Sequence, residues 1–338
     1  MLPHEIPIVF SDITPIPQND GAQPVCRIDY KPDFTLAYDY MRAILKADER
    51  SDRALQLTTI CLQLNPANYT VWHFRRLCLE KIGLTEQIIQ RDLELAAQLG
   101  GSNPKNYQIA FHRRFLLEAS GLDEEKARRE LDYIATVLAE DGKNYHMWSS
   151  RQWIIRTIGV EQFFIDEIKY SNELIVEDCR NNSAWNQRWF AVHRGTRDAL
   201  SDEMARQEAE YAIEMASIDP YNESPWRYLI GILKEQQSPD SPAMVTHYHH
   251  AATGLKQVLQ DAGRDPDACV NLNSALIDML EMSGDTATSE DCLDEAMELC
   301  RTMATKYDLI RCKYWNFRHD ELEQKKLGLL NPSTSRGS

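Results

Sequence analysis

One pattern recurs along this chain at nearly constant spacing: an asparagine, a large aromatic four residues on, and an arginine three residues after that. Asn68–Trp72–Arg75, Asn144–Trp148–Arg151 and Asn181–Trp185–Arg188 carry it in full. Asn106 opens a copy with Ala110 in the aromatic place and Arg113 in the basic one, and Asn222 opens another with Trp226 but Leu229. A sixth copy holds Trp315 and Arg318, with Arg311 where the asparagine belongs. Successive asparagines lie 38, 38, 37 and 41 residues apart, and 89 residues then lead to Arg311, room for one unsigned unit near Asn271–Met282. A period of this length marks an array of supersecondary units, each of which hides its apolar face by stacking on its neighbours.

The spacing has a local physical meaning. Asparagine is a favoured helix N-cap, because its side-chain oxygen accepts from the unpaired amides of the first turn. Positions four and seven residues further on share one helix face. There a tryptophan buries a large apolar area, and an arginine can reach a carboxylate or carbonyl of the neighbouring layer. Pro66, Pro104 and Pro220 each stand two residues before one of these asparagines. Between the signed helices the apolar periodicity predicts second helices over Thr85–Leu99, Asp123–Ala139, Gly159–Glu177 and Ser201–Ile218. The unit is a helix pair of about 38 residues. The expected fold class is all-α, a right-handed superhelical solenoid of helical hairpins related to tetratricopeptide arrays.

Six of the 14 prolines fall within the first 32 residues, which disfavours helix and favours extended chain. The expected organisation is a proline-rich arm over 1–32, a repeat domain over 33–323, and a polar tail over 324–338. Signed repeats start near 68, 106, 144, 181, 222 and 311. Glycine is scarce, 14 in 338 residues, which argues against glycine-dependent barrels and nucleotide-binding sheets. A net charge of −15 repels nucleic acid and anionic membrane at long range, so any anion site must be local. Eight dispersed cysteines form no C-x-x-C pair and read as reduced thiols. No signal peptide, membrane span or lipidation motif is visible, so a cytoplasmic protein is expected.

The repeats resemble the protein prenyltransferase α-subunit repeat. The resemblance rests on Asn68-Tyr69-Thr70-Val71-Trp72-His73-Phe74-Arg75-Arg76, Pro104-Lys105-Asn106-Tyr107-Gln108 and Asn181-Asn182-Ser183-Ala184-Trp185-Asn186-Gln187-Arg188. Tyr38-Asp39-Tyr40-Met41-Arg42-Ala43 and Asp48-Glu49-Arg50-Ser51 add to it, and it runs from about Ile28 to His319. It implies an α subunit, shared by protein farnesyltransferase and type I geranylgeranyltransferase, that is active only with a β subunit. The reaction it implies transfers a farnesyl or geranylgeranyl group from its diphosphate to a cysteine thiol of a CaaX-motif protein. It further implies Zn2+ held by the β subunit, with no metal ligand on this chain, and Mg2+ for farnesyl transfer. The same resemblance makes Lys105, Tyr107 and His146 contacts to the diphosphate, and Gln108 a contact to the carboxylate of the protein substrate. Asn144 belongs either to that site or simply to its helix cap.

Ala110 departs from the pattern in the very repeat that bears Lys105, and Phe111 or a neighbour is expected to fill part of the missing tryptophan's space. His247, His249 and His250 are half of a metal site at most, since no partner ligand is identifiable. The Arg75-Arg76 and Arg113-Arg114 pairs read as links between layers rather than an RNA surface. The acidic run from Asp39 to Asp52 reads as a solvated helix end. Two rival functions are kept: the α subunit of the Rab geranylgeranyltransferase, and a non-catalytic repeat adaptor that binds an extended peptide.

Overall fold

The computed structural model describes residues 1–101, 105–236, 241–283 and 289–330, so Pro104 and residues 331–338 of the expected tail lie outside the described residues. Among the described residues there is no strand, and the fold is all-α. The chain divides into two compact units, Met1–Gly159 and Val160–Ser338.

In the first unit a four-residue helix, α1 (Ile6–Val9), precedes α2 (Pro32–Ala47), α3 (Asp52–Leu64), α4 (Tyr69–Ile82), α5 (Glu86–Gly101), α6 (Tyr107–Ser120), α7 (Glu124–Glu140) and α8 (Tyr145–Ile158). Hairpins form from α3 with α4, α5 with α6, and α7 with α8, while α4, α6 and α8 pack on one another in turn. The second unit repeats the scheme with α9 (Glu161–Glu177), α10 (Asn182–Val192), α11 (Asp202–Ile218), α12 (Glu223–Glu235), α13 (Ser241–Asp261), α14 (Val270–Ser283), α15 (Ser289–Thr302) and α16 (Cys312–Leu330). The expected second helices appear as α5, α7, α9 and α11, with ends shifted by a few residues at most. The unsigned repeat near Asn271 is α14. Helix α16 runs past residue 323 to Leu330.

The tryptophans form the core as the periodicity requires. Trp72, Trp185, Trp226 and Trp315 are almost wholly buried, each at the fourth position after a cap place. No helix of the described residues is long and apolar enough to cross a membrane. All eight cysteines are unpaired; four are buried and only Cys26 is exposed.

Three local expectations need correction. The start of the arm is helical and docked, not extended: Ile6 and Phe10 are fully buried against α2 and α3. Pro3 and Pro7 fall in first turns, where a missing N–H costs no helical bond. Arg53 then clamps the segment, donating to the Val9 carbonyl at 3.0 Å and to both Asp12 oxygens at 2.7 and 2.9 Å. Phe111 does not fill the space left by Ala110: it is 55% exposed and lies under the Arg76 guanidinium. A phenyl ring at the fifth position points about 100° away from the fourth. The acidic run is laced with arginines instead of being merely solvated, through Asp39–Arg42, Asp48–Arg50 and Glu49–Arg53 pairs.

Candidate functional site

Each signed helix is anchored at its first turn. The asparagine oxygen caps the helix as the sequence predicts: Asn68 accepts from Val71 N–H, Asn106 from Gln108, Asn144 from Met147, Asn181 from Ser183 and Asn222 from Ser224, at 3.0–3.2 Å. The tryptophan indole donates to the carbonyl two residues before its own asparagine. Trp72 thus reaches Pro66 at 2.7 Å, Trp148 reaches Gly142 at 3.0 Å, Trp185 reaches Cys179 at 2.9 Å and Trp226 reaches Pro220 at 2.9 Å. The same carbonyls receive the next repeat. Asn106 Nδ2 donates to the Pro66 oxygen and Asn222 Nδ2 to the Cys179 oxygen, both at 2.6 Å. One oxygen therefore binds the tryptophan of its own unit and the asparagine of the next, using both carbonyl lone pairs. The turn that opens α6, next to Lys105, is tied in this way to the turn that opens α4.

A second ladder runs deeper, on the arginines. Arg75 grips Asp92 of α5 with two bonds of 2.6 and 2.9 Å and also donates to Thr58 and Thr59 of α3. His112 of α6 holds the same carboxylate at 3.0 Å. In the second unit Arg188 of α10 grips Glu208 of α11 at 2.7 and 2.8 Å, and Tyr228 of α12 donates to it at 2.6 Å. Arg113 pairs with Glu130 at 2.7 and 2.6 Å. The arginine that recurs is thus the link between layers that its spacing implies. Total burial pushes the His112 imidazole down to about 4 despite the neighbouring carboxylate, so the ring is neutral and its Nδ1 has no partner. Burial alone would raise the Asp92 carboxyl, but the bonds from His112 and Arg75 hold it below its ordinary value.

On this frame the first turns present the site residues of the first unit. Lys105 is exposed and makes no hydrogen bond, ion pair or ring contact among the described residues. It stands just before the cap of a 14-residue helix, where free amides and the helix dipole favour an anion. Tyr107 is 54% exposed and its ring centroid lies 6.0 Å from that of His146, a half-buried residue on α8. The structure therefore brings Tyr107 and His146 together across two hairpins. Gln108 and Asn144 are buried, at 5% and 2% exposure. Asn144 caps α8, and the Gln108 N–H is held by Asn106.

Two neighbours are not among the expected site residues. Lys143 stands one residue before Asn144, in the same register as Lys105, and is likewise exposed without an ionic partner. Tyr145 is 76% exposed and sits edge-on to His146 at 5.6 Å. The repeat register was the signal for both. A chain of strongly negative net charge thus places unpaired ammonium groups, phenols and an imidazole at two consecutive helix N-termini. Such a set binds an oxyanion and stabilises charge that develops on it.

A metal is another matter. Around Lys105 the donors are one imidazole, phenols and amides, which do not make a zinc site. Among the described residues, one group of side chains could share an ion: His319, Asp320 and Glu323 on α16, with ligand atoms within 4.8 Å of one another. The His247–His250 stretch gathers no such group; His249 and His250 lie 6.1 Å apart by ring centroid.

Comparison with known proteins bears on the family and the fold. Residues 51–82, 127–158 and 164–195 match the family model described as protein prenyltransferase alpha subunit repeat. The chain is 41% identical over 331 residues to the protein farnesyltransferase/geranylgeranyltransferase type-1 subunit alpha of Pisum sativum, covering 93% of each chain. It is 34% identical to the protein of that name in Dictyostelium discoideum, covering 95% of this chain and 94% of that one. Among solved structures, Candida albicans protein geranylgeranyltransferase-I complexed with GGPP matches with a TM-score of 0.75 at 25% identity, over 92% of this chain and 98% of that chain.

Proposed function

The chain belongs to the family of protein farnesyltransferase/geranylgeranyltransferase type-1 α subunits, and from that premise we propose that it works as the α half of a heterodimeric CaaX protein prenyltransferase. Its partner is a β subunit that holds the thiol substrate and the zinc ion. Resemblance assigns the zinc to the partner, and the donors around Lys105 do not make a site for it. Mg2+, where farnesyl transfer uses it, belongs with the diphosphate and is assigned no ligand on this chain.

The chemistry follows from the charge. The thiolate of the CaaX cysteine attacks C1 of the isoprenoid, a carbon–sulfur bond forms, and the C1–oxygen bond breaks. The diphosphate leaves with the electron pair of that bond, so negative charge grows on its oxygens. Lys105 meets that charge with its ammonium group, and Tyr107 and His146 meet it as hydrogen-bond donors. Asn106 and Asn144 hold the two helix starts from which these groups project. Gln108 is assigned to the substrate carboxylate by resemblance; its side chain keeps little surface in the chain alone. The arm over 1–32 is docked at its start, and the repeat domain over 33–323 is the scaffold.

One observation supports the reading most: Lys105 is an exposed cation with no partner among the described residues, one helix start away from the Tyr107–His146 pair. Losing one charge-assisted hydrogen bond removes about 1.5–3 kcal/mol, which is roughly ten- to a hundredfold in rate. Lys105→Ala, co-expressed with a β subunit, is expected to assemble normally and to slow single-turnover transfer to a CaaX peptide by that factor. An unchanged single-turnover rate refutes the role. A wild-type chain that stays monomeric with every β subunit refutes the enzyme reading.

A further inference from the structure

Arg76 follows the ion-paired Arg75 on α4, and its surroundings are the reverse. It keeps 9% of its surface and makes no hydrogen bond and no ion pair among the described residues, and its Nη1 is enclosed with no acceptor in reach. Its one companion is Phe111 of α6, whose ring centroid lies 4.7 Å from the guanidinium carbon. A ring beneath the plane of a guanidinium satisfies its face and leaves its N–H edges unused. Arg114, at the same repeat position 38 residues on, shows the ordinary outcome. It stacks on Trp153 at 4.6 Å, pairs with Glu118 at 2.8 Å and is 48% exposed. Glu80 holds the same place relative to Arg76 as Glu118 does to Arg114, yet it makes no pair with it. Burial lowers the proton affinity of Arg76, a rare direction for an arginine, and the Glu80 carboxylate nearby, which makes no ion pair with it, opposes that shift only in part.

Arg76 opens onto a cavity of about 230 Å3 between α4 and α6, lined also by His73, Glu80, Phe111, Arg114 and Glu118. The same two helix faces carry further exposed aromatics towards their N-termini: Tyr69 precedes Arg76 by seven residues on α4, and Tyr107 precedes Phe111 by four on α6. Arginine amid exposed tyrosine and phenylalanine is the composition of an interface anchor.

We propose that the Arg76–Phe111 cavity is a socket for a carboxylate side chain of the β subunit, gripped by the N–H edges of Arg76 while Phe111 supports its face. The proposal rests on the heterodimer reading above and adds to it one anchoring contact. A carboxylate fits because a planar oxyanion matches the guanidinium fork, and because a desolvated, unpaired cation strains the free chain until such a group arrives.

The test is the full chain carrying Arg76→Met, with Arg76→Gln as a second neutral variant. Removing an uncompensated charge is expected to leave the melting temperature of the free chain unchanged or higher, whereas an arginine that merely holds the fold would lower it. The affinity for the β subunit is expected to fall roughly ten- to a hundredfold. One acidic residue of the β subunit should show non-additivity with Arg76→Met in a double-mutant cycle. A lower melting temperature in both variants overturns the proposal, as does unchanged affinity for the β subunit. So does a loss confined to self-association of this chain, or inorganic phosphate stabilising the wild type but not Arg76→Met while both bind the β subunit equally. A wild-type chain that binds no β subunit removes the functional reading and this socket together; a wild-type heterodimer indifferent to Arg76→Met removes the socket alone.

Discussion

Replacing His112 by glutamine should flatten the acid limb of this protein's stability curve. His112 is wholly buried, donates to Asp92 and lies tilted against Trp72, with ring centroids 4.7 Å apart. Its imidazole titrates near 6.5 in the unfolded chain and is pushed down to about 4 in the fold. The unfolded state therefore takes up a proton that the folded state refuses, and stability falls as the pH drops through that window. A gap of this size corresponds to roughly 3 kcal/mol lost between about pH 7 and about pH 4. Asp92, held below its ordinary value of 3.8, adds its own loss only beneath the window. Glutamine is the informative replacement because the chain already uses it: Gln187 donates to Glu167 at 2.7 Å across the same 20 residues that separate His112 from Asp92. The variant keeps the donor and discards the proton site, at a pH-independent cost of about 1 kcal/mol for the lost ring contact. Urea unfolding at several pH values, compared at matched slopes, reads the difference. If wild type and His112→Gln lose the same stability from neutral pH to about pH 4, the neutral buried imidazole is not the source of the acid sensitivity.

Two further expectations concern the frame. Asn222→Ala removes both a helix cap and the donor to the Cys179 carbonyl, and should cost about 2 kcal/mol in urea unfolding; Asn222→Asp, which keeps the cap alone, should recover about half of that. Gly231→Ala would set a methyl 2.9 Å from the Trp189 ring, which is itself packed between His193 and Tyr228. Overpacking of about 1–3 kcal/mol should outweigh the better helix propensity of alanine and lower the melting temperature.

What could be read in advance followed helix geometry. Cap, tryptophan and arginine lie on one helix at fixed offsets of four and three, so the 3.6-residue turn alone places them. The partners of those arginines lie on other helices, and their offsets drift: 17 residues from Arg75 to Asp92 and from Arg113 to Glu130, but 20 from Arg188 to Glu208. Loop length sets that number, and no periodicity in the chain announces it. The prolines before Asn68 and Asn222 were visible as a regularity, but their use was not. What matters is the carbonyl oxygen, which glycine and cysteine supply equally well at 142 and 179. Composition misled at the N-terminus for a related reason. Proline density argues against helix interiors, while Pro3 and Pro7 occupy first turns, where the fixed φ is helical anyway.

The same geometry explains where the candidate site lies. A stacked hairpin buries the middle of each helix against its neighbours, and only the first turns keep both open surface and unpaired amides. In Lys105, Tyr107, Lys143, Tyr145 and His146 the polar and charged groups cluster at such turns. Both turns are capped by their own asparagine, and the Pro66 carbonyl joins the α6 turn to the α4 turn. A lysine on an isolated loop would pay the ordering entropy when the diphosphate arrives. Here Asn106 has already fixed the backbone beside Lys105 through bonds to Gln108 and Pro66, so the side chain alone is left to order. On the role proposed for Lys105, cutting that tether with Asn106→Ala should therefore slow transfer, because preorganised charge is what a leaving diphosphate requires.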